Sequence, residues 1–144
     1  MKELLEQTTW IVIGNEIPGL EQAAGFVRRP DCGAVNLFTG ITRNHEKGRE
    51  VLTLYYDCYE DMALSELSSI ANAIQKRHQV GNIAIFHRTG EVPVGSCSLI
   101  VAISSAHRQE ALSATRELID TLKKEVPIWK KETFSDDVKW KEEQ

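Results

Sequence analysis

Hydrophobic and polar positions divide the chain into short apolar runs and longer amphipathic segments. Short segments rich in apolar and β-branched residues and bounded by turn residues predict strands, and they occur at 8–14, 33–41, 50–57, 82–90 and 96–104. Apolar residues recurring every three or four positions predict helices, which are expected at 17–30, 60–78 and 106–124. After Pro127 the chain returns to short strand or turn before a polar end.

Each predicted helix has one apolar face. The face of the first helix, which Pro30 ends, consists of Leu20, Ala23, Ala24 and Val27. The face of the second, with Gly81 as the stop, consists of Ala63, Leu67, Ile70, Ala71 and Ile74. The face of the third consists of Ala111, Leu112, Thr115, Leu118, Ile119 and Leu122.

The order of the elements predicts the fold class. The strands at 33–41 and 50–57 flank the polar loop 42–49, which favours a hairpin with a long tip. Strands come mostly in pairs between helices, whereas a doubly wound parallel sheet needs strict alternation. We therefore expect an α+β sandwich with a mostly antiparallel sheet and three helices. Without repeats or linkers, residues 1–144 are expected to form a single domain.

Charge and cysteine usage narrow the function classes. The formal net charge is −4 and the pI about 5.6, so the overall field opposes binding to nucleic acid or anionic membrane. The charged start lacks a signal peptide and no window is long enough to span a bilayer, which predicts a cytoplasmic protein. Cys32, Cys58 and Cys97 fit neither a zinc pattern nor a disulfide framework and are expected to be reduced, mostly buried thiols.

The first candidate site is the start of the third helix, in "SSAHRQEA" (104–111). Ser104 or Ser105 suits the N-cap, but His107 and Arg108 follow where the helix dipole favours acidic residues. Backbone N–H groups and an arginine at a helix start suit a phosphate. An arginine paired with a carboxylate and a histidine satisfied by backbone explain the pattern equally well.

Two lysine pairs are the next candidates. Lys123 and Lys124 complement the dipole at the end of the third helix, and a cap explains them without a function. Lys130 and Lys131 follow Pro127 and Trp129, which restrict the segment and add apolar area. A lysine held beside apolar surface suits acid, base or nucleophile chemistry, although a charged pair near a chain end is usually solvated.

Two further polar groups lie at strand ends. Arg43, His45, Lys47 and Arg49 are on the predicted hairpin tip, where solvated turn chemistry and ligand binding are both open. His87 and Arg88 precede Thr89-Gly90, which favours a turn rather than a helix start. The four histidines lack metal-ligand spacing, so no metal site is expected.

Three segments together resemble a known family. "FTGITRNHEKG" (38–48), "SSAHRQEA" (104–111) and "LKKEVPIWKKE" (122–132) are similar to the signatures of the molybdopterin synthase catalytic (large) subunit family. The similarity runs from about 33 to 140 and is weakest over the first 30 residues. It implies an α/β hammerhead fold and sulfurtransferase activity in molybdenum cofactor biosynthesis, with no cofactor in this subunit.

The resemblance also implies partners. The large subunit is expected to form a homodimer within a heterotetramer that contains small ubiquitin-like sulfur-carrier subunits. The carrier's C-terminal Gly-Gly thiocarboxylate would supply two sulfurs, in successive steps, to cyclic pyranopterin monophosphate. The product would be the dithiolene of molybdopterin.

The family's site residues carry over by matching position. Lys123 and Lys130 are the expected catalytic residues. The expected substrate contacts are Ile41, Thr42, Arg43, His107, Arg108, Lys123, Lys130, Lys131 and Glu132. The family pattern often has valine where this chain has Thr42.

Helix geometry adds a constraint on this site. Sixteen residues separate His107 from Lys123 on one predicted helix, which corresponds to about 24 Å. One pterin is too small to contact both, so we expect a composite site at a two-fold interface, with His107 and Arg108 from the other protomer. Two other hypotheses are a non-catalytic module that binds a phosphorylated metabolite or protein tail, and a scaffold with solvated basic residues.

Overall fold

The fold consists of three helices and ten strands in the part of the chain that the computed structural model describes, residues 1–135 and 138–142. The helices are α1 (Leu20–Val27), α2 (Glu60–Arg77) and α3 (Arg108–Glu125). The strands are β1 (Lys2–Leu5), β2 (Thr9–Gly14), β3 (Ala34–Ile41), β4 (His45–Glu46), β5 (Arg49–Cys58), β6 (Val80–Arg88), β7 (Gly90–Pro93), β8 (Cys97–Ser105), β9 (Ile128–Phe134) and β10 (Val138–Glu142).

The first sheet has the strand order β1-β2-β6-β8-β3. Only β2 and β6 run parallel; the other neighbours in this sheet are antiparallel. Residues in β6 and β8 are buried on both faces, because α2 and α3 pack on one face and α1 on the other. Burial on both faces explains why these strands are continuous apolar runs rather than alternating ones.

The second sheet has the order β10-β9-β5-β4, and β7 also pairs with β5. All of its described pairs are antiparallel. The expected α+β class, with three helices and mostly antiparallel strands, is confirmed. No helix in the described part of the chain has the length and apolar composition needed to cross a membrane.

The predicted hairpin between 33–41 and 50–57 is wrong. β3 pairs with β8, whereas β5 pairs with β9, so the two segments belong to different sheets. A hairpin does form at the tip, where β4 turns into β5 through Lys47 (φ 52°) and Gly48 (φ 77°). Positive φ at both turn residues matches the tight turn that suits twisted strands. The chain therefore crosses between the two sheets immediately before this turn.

The helices are confirmed, with corrections at their ends and faces. α1 and α3 are shorter than predicted, and all five residues of the predicted α2 face are buried. Leu112 is 54% exposed, because the buried stripe of α3 runs through Ala111, Ala114 and Leu118 and leaves Leu112 about 100° away. Leu20 is 44% exposed because it is the first residue of the short helix α1.

Candidate active site

A cavity of about 230 Å³ lies where the two sheets meet beside the end of α3. Its walls come from β3, the tip after it, β5, β6, β8, α3 and β9. Five of the nine residues expected from the family resemblance line it: Ile41, Arg43, Lys123, Lys130 and Glu132. These residues come from two stretches that are distant in sequence, 41–43 and 123–132, so the fold brings cationic and acidic side chains together at one place.

Strand alternation on β9 separates its two lysines. Successive side chains of a strand point to opposite faces, and antiparallel partners directly opposite each other share a face. Lys130 is opposite Tyr56 of β5 and both line the cavity. Lys131 is opposite Tyr55 on the other face, with its Nζ 5.7 Å from the centre of that ring.

Glu132 lies on the same face of β9 as Lys130 and is 3% exposed. The cavity-facing side of the strand therefore alternates a cation with a carboxylate, between the buried Ile128 and Phe134. Pro127 separates this strand from α3 and cannot continue the helix. The segment from α3 to β9 thus carries Lys123 and Lys130 into the cavity from two different elements.

The adjacent lysines at the end of α3 also differ. Lys123 is partly buried and lines the cavity, whereas Lys124 is exposed. Both lie in the last turn, which ends where the Val126 N–H donates to the Leu122 carbonyl at 3.1 Å. The dipole accounts for a cation at either position. Placement in the cavity distinguishes Lys123.

Arg43 enters the cavity from the tip. Its guanidinium donates to Glu46 at 2.7 Å, and the Arg43 side chain is 65% exposed against 22% for Glu46. Arg49 follows the hairpin turn after Glu46, and its guanidinium carbon lies 3.8 Å from the centre of the Phe134 ring. This contact holds the end of the turn against β9. Arg43 is therefore a cation at the mouth of the cavity with a carboxylate beside it.

Thr42 is buried beneath the tip, at 2% exposure. Its N–H donates to the Ser96 carbonyl at 3.0 Å and its carbonyl accepts from Gly95 at 2.8 Å. Within residues 1–135 its Oγ1 has no hydrogen-bond partner. These two main-chain hydrogen bonds fix the backbone at Thr42, where the chain passes from the first sheet to the second. They thereby position the neighbouring residues Ile41 and Arg43.

His107 and Arg108 lie at the opposite end of α3 from Lys123 and are exposed. They do not line the cavity of this chain. His107 is the N-cap residue, but the Ser105 hydroxyl accepts the Ala111 N–H at 3.1 Å. Ser105, one of the two expected N-cap serines, thus caps the helix with its side chain from two residues before the N-cap position.

His87 and Tyr56 also line the cavity; the sequence pattern indicated His87 only as a polar residue at a strand end and did not single out Tyr56. His87 is 1% exposed, and its ring packs edge-on against Tyr56 with 5.1 Å between ring centres. The signal in the sequence was a histidine closing a fully apolar run. The predicted strand over 82–90 includes this histidine, and the Thr89-Gly90 pair after it predicted a turn rather than a helix start; β6 ends at Arg88, so His87 lies inside the sheet.

The cysteines are free and partly exposed rather than mostly buried as expected. Burial, with the carboxylates of Glu60 and Asp57, raises the pKa of Cys58 to about 11. Burial also raises the pKa of Cys97. The thiols of Cys58 and Cys97 therefore stay protonated near neutral pH and are poor nucleophiles. In the described residues, no group of three or more His, Cys, Asp or Glu side chains is placed to hold a metal ion.

Comparison with known proteins identifies the family. The family model described as "MoaE protein" matches residues 14–125. The chain belongs to the MoaE protein family. This confirms the family resemblance; the matched range begins before the first motif and ends within the third.

Relatives and solved structures agree with membership of the MoaE family. The protein named "Molybdopterin synthase catalytic subunit" from Homo sapiens is 45% identical over 122 residues, which are 85% of this chain and 65% of that protein. Its namesake from Taeniopygia guttata is 43% identical over 134 residues, 92% of this chain and 86% of that protein. The chain thus spans just under two thirds of the human relative.

The crystal structure of molybdopterin synthase from Staphylococcus aureus superposes on this chain with a TM-score of 0.87. It is 33% identical, and the match covers 96% of this chain and 98% of that one. The two-sheet, three-helix architecture is therefore shared with this solved molybdopterin synthase chain along nearly its whole length.

Proposed function

We propose that this chain is the catalytic subunit of a molybdopterin synthase. It transfers sulfur from the thiocarboxylated Gly-Gly end of a small ubiquitin-like carrier to cyclic pyranopterin monophosphate, and two transfers give the dithiolene. Relatives with this name over most of the chain support the proposal. The observation that carries it is the cavity in which Arg43, Lys123 and Lys130 converge.

The cationic residues have distinct tasks in this proposal. Arg43 binds the phosphate, because a guanidinium forms bidentate hydrogen bonds with phosphate oxygens. Its pairing with Glu46 keeps the side chain at the mouth of the cavity until the phosphate arrives. Ile41 contributes apolar contact beside it, and Glu132 orients polar groups of the pterin or the neighbouring lysine.

Lys123 and Lys130 perform the chemistry. Each sulfur transfer leaves the carrier with a carboxylate, and opening the cyclic phosphate creates further negative charge. Ammonium groups in a partly closed cavity stabilise this charge and deliver protons. The side chains of Thr42 and Lys131 do not contact the substrate in this proposal, because Thr42 is buried and Lys131 lies on the outer face of β9. Their main-chain groups and neighbouring residues make the contacts instead.

A two-fold dimer completes the site in this proposal. His107 and Arg108 of one protomer reach the cavity of the other, because α3 (Arg108–Glu125) is too long for both of its ends to contact one pterin. The assembly is then a heterotetramer of two such chains and two carriers.

Mixed dimers test the shared site. Lys123→Ala and Arg108→Ala variants are each expected to be inactive. Subunit exchange between them creates dimers in which one of the two sites has both intact residues. Random pairing should restore about a quarter of the wild-type activity. If mixing restores nothing while exchange is verified, all site residues come from one protomer.

The function itself is tested by reconstitution. Purified chain is combined with a thiocarboxylated carrier and cyclic pyranopterin monophosphate, and molybdopterin is assayed. Formation of molybdopterin only with the thiocarboxylate, and not with the carboxylate form of the carrier, is expected. If no dithiolene forms although the carrier binds, the chain is a binding module rather than an enzyme.

A further inference from the structure

A buried histidine lies on the wall of the cavity and has no role in the proposed function. His87 precedes the last residue of β6 and is 1% exposed. β6 is an inner strand, so His87 is paired with Ile13 on one side and Leu99 on the other. An ionisable ring in the middle of a sheet, at a cavity lined by two lysines, is held in place on both sides.

The hydrogen bond of the ring fixes its tautomer. His87 Nδ1 lies 2.7 Å from the carbonyl oxygen of Arg88. A carbonyl oxygen only accepts hydrogen bonds, so Nδ1 carries the hydrogen. In the neutral ring, Nε2 therefore carries the lone pair. The sheet thus presents His87 with a defined acceptor atom.

The ring is also held by packing. Tyr56 lies edge-on to His87 at an interplanar angle of 77°. Tyr56 is opposite Lys130 in the pairing of β5 with β9. His87, Tyr56 and Lys130 therefore form one wall of the cavity, with Lys123 of α3 also lining it. A base whose ring is oriented by a third group is the usual arrangement of a preorganised proton acceptor.

We propose that His87 is a catalytic general base of this cavity, an inference that rests on the proposed function. Nε2 takes a proton from an N–H or O–H group of the bound pterin, and the electron pair stays on the pterin atom. As the carrier's sulfur forms its bond to the pterin side-chain carbon, the carbon–oxygen bond of the cyclic phosphate breaks with its electron pair on the oxygen, and the imidazolium gives the proton to this oxygen. The ring returns to its neutral form with Nδ1–H unchanged, so no net proton is consumed.

Three substitutions test the inference. His87→Asn keeps an amide N–H near the position of Nδ1 and removes Nε2, whereas His87→Phe keeps the ring packing against Tyr56 and removes both nitrogens. His78→Asn is the matched control, because His78 pairs with Glu117 at 2.9 Å and does not line the cavity. Thermal unfolding verifies that each variant is folded.

General bases contribute about 10²- to 10⁴-fold to a rate. We expect kcat for molybdopterin formation to fall at least about 100-fold in His87→Asn and His87→Phe, with KM changed less than about threefold. His78→Asn should have the wild-type kcat. Wild-type kcat in a folded His87→Asn overturns the inference, since Nε2 is then not used.

A measurement on the unmodified protein covers the case in which the variants do not fold. Nitrogen-15 NMR of labelled histidine, assigned through backbone correlations, is expected to show a protonated Nδ1 and an unprotonated Nε2 for His87. The opposite tautomer overturns the inference. An inactive wild-type protein would refute the proposed function itself, whereas an active wild type with an active His87→Asn would refute only the role of His87.

Discussion

The two adjacent lysines at the end of α3 offer a matched pair of substitutions, Lys123→Ala and Lys124→Ala. Both side chains lie in the last turn of the same helix, and they have the same length and charge. They differ in place, because Lys123 lines the cavity and Lys124 is exposed. Any difference in activity between the variants therefore reports on the cavity rather than on the helix.

The expected effects on stability are small and nearly equal. Each substitution removes a cation that interacts with the helix C-terminus, worth about 0.3–1 kcal/mol. Alanine offsets a few tenths of that through its better helix propensity. In a domain of this size 1 kcal/mol corresponds to roughly 2–4 °C in Tm. The two variants should therefore unfold within about 2 °C of each other.

The expected effects on catalysis differ by orders of magnitude. Removing one preorganised donor that stabilises developing charge costs about 10²- to 10³-fold in kcat, or about 2.7–4 kcal/mol. Lys123→Ala should lose at least that much, while Lys124→Ala stays within about twofold of the wild type because an exposed charge is screened by solvent. Lys123→Arg separates two roles, since arginine keeps the charge and does not release a proton.

The assay is single-turnover formation of molybdopterin with saturating thiocarboxylated carrier, together with a titration of carrier binding. Carrier affinity should change little in Lys123→Ala relative to the loss in rate. Equal losses of activity in both variants would refute the assignment of Lys123 to the site. An unchanged rate in Lys123→Ala would do so as well, provided that wild-type protein is active in the same preparation.

Further predictions concern β9, the tip and the surface. Lys130→Ala should lower kcat/KM by about 10²-fold or more, whereas Lys131→Ala should cost no more than about fivefold, because an exposed contact with Tyr55 is worth about 0.5–1 kcal/mol; similar losses in steady-state kinetics would contradict this face assignment. Thr42→Val should leave the free energy of unfolding unchanged or raise it by up to about 1 kcal/mol, because it removes a buried hydroxyl that lacks a partner within residues 1–135; a clear loss in urea unfolding would contradict that. Hydrogen bonds from Arg77 and His78 lower the pKa of Glu117, so its stabilisation is complete above the ordinary value of 4.5 and is lost as pH falls through the lowered one. The difference in unfolding free energy between wild type and Glu117→Gln should therefore shrink below about pH 4.5; a constant difference in urea unfolding from pH 3 to 7 would contradict this.

Local pattern predicted the helices and the inner strands well. The α2 face was correct at each position because its period is regular over 18 residues. The inner strands β6 and β8 were recognised because burial on both faces leaves an uninterrupted apolar run. β1 was missed, since its sequence KELL lies at the edge of the sheet and is mostly exposed.

Strand pairing was not predictable from the same information. The segment between β3 and β5 is polar and carries a turn glycine. Such a segment is as compatible with a hairpin between the two strands as with a connection between two sheets. The choice depends on partners far along the chain, β8 for β3 and β9 for β5. Periodicity within a segment carries no information about such partners.

The same limit applies to the site. Each basic residue was recognised individually. For most of them, however, a helix cap or a solvated charged pair explained the sequence as well as a functional role did. Only the family resemblance brought Arg43, Lys123 and Lys130 into one hypothesis, and the fold then places their side chains around one cavity. Lys123 can be distinguished from Lys124, and Lys130 from Lys131, only when the structure shows to which surface each side chain points.

Under the proposed function, the contrast between overall and local charge favours anionic ligands in the cavity. The chain has a formal net charge of −4, so its outer surface repels a phosphate-bearing pterin and the anionic end of a carrier at long range. At physiological ionic strength this repulsion is screened beyond about 8 Å. Inside the cavity, Arg43, Lys123 and Lys130 outnumber the carboxylates of Glu46 and Glu132. Partial exclusion of water strengthens these interactions relative to those on the surface. Anions are therefore favoured at this one place, which is also where the carrier would deliver its sulfur.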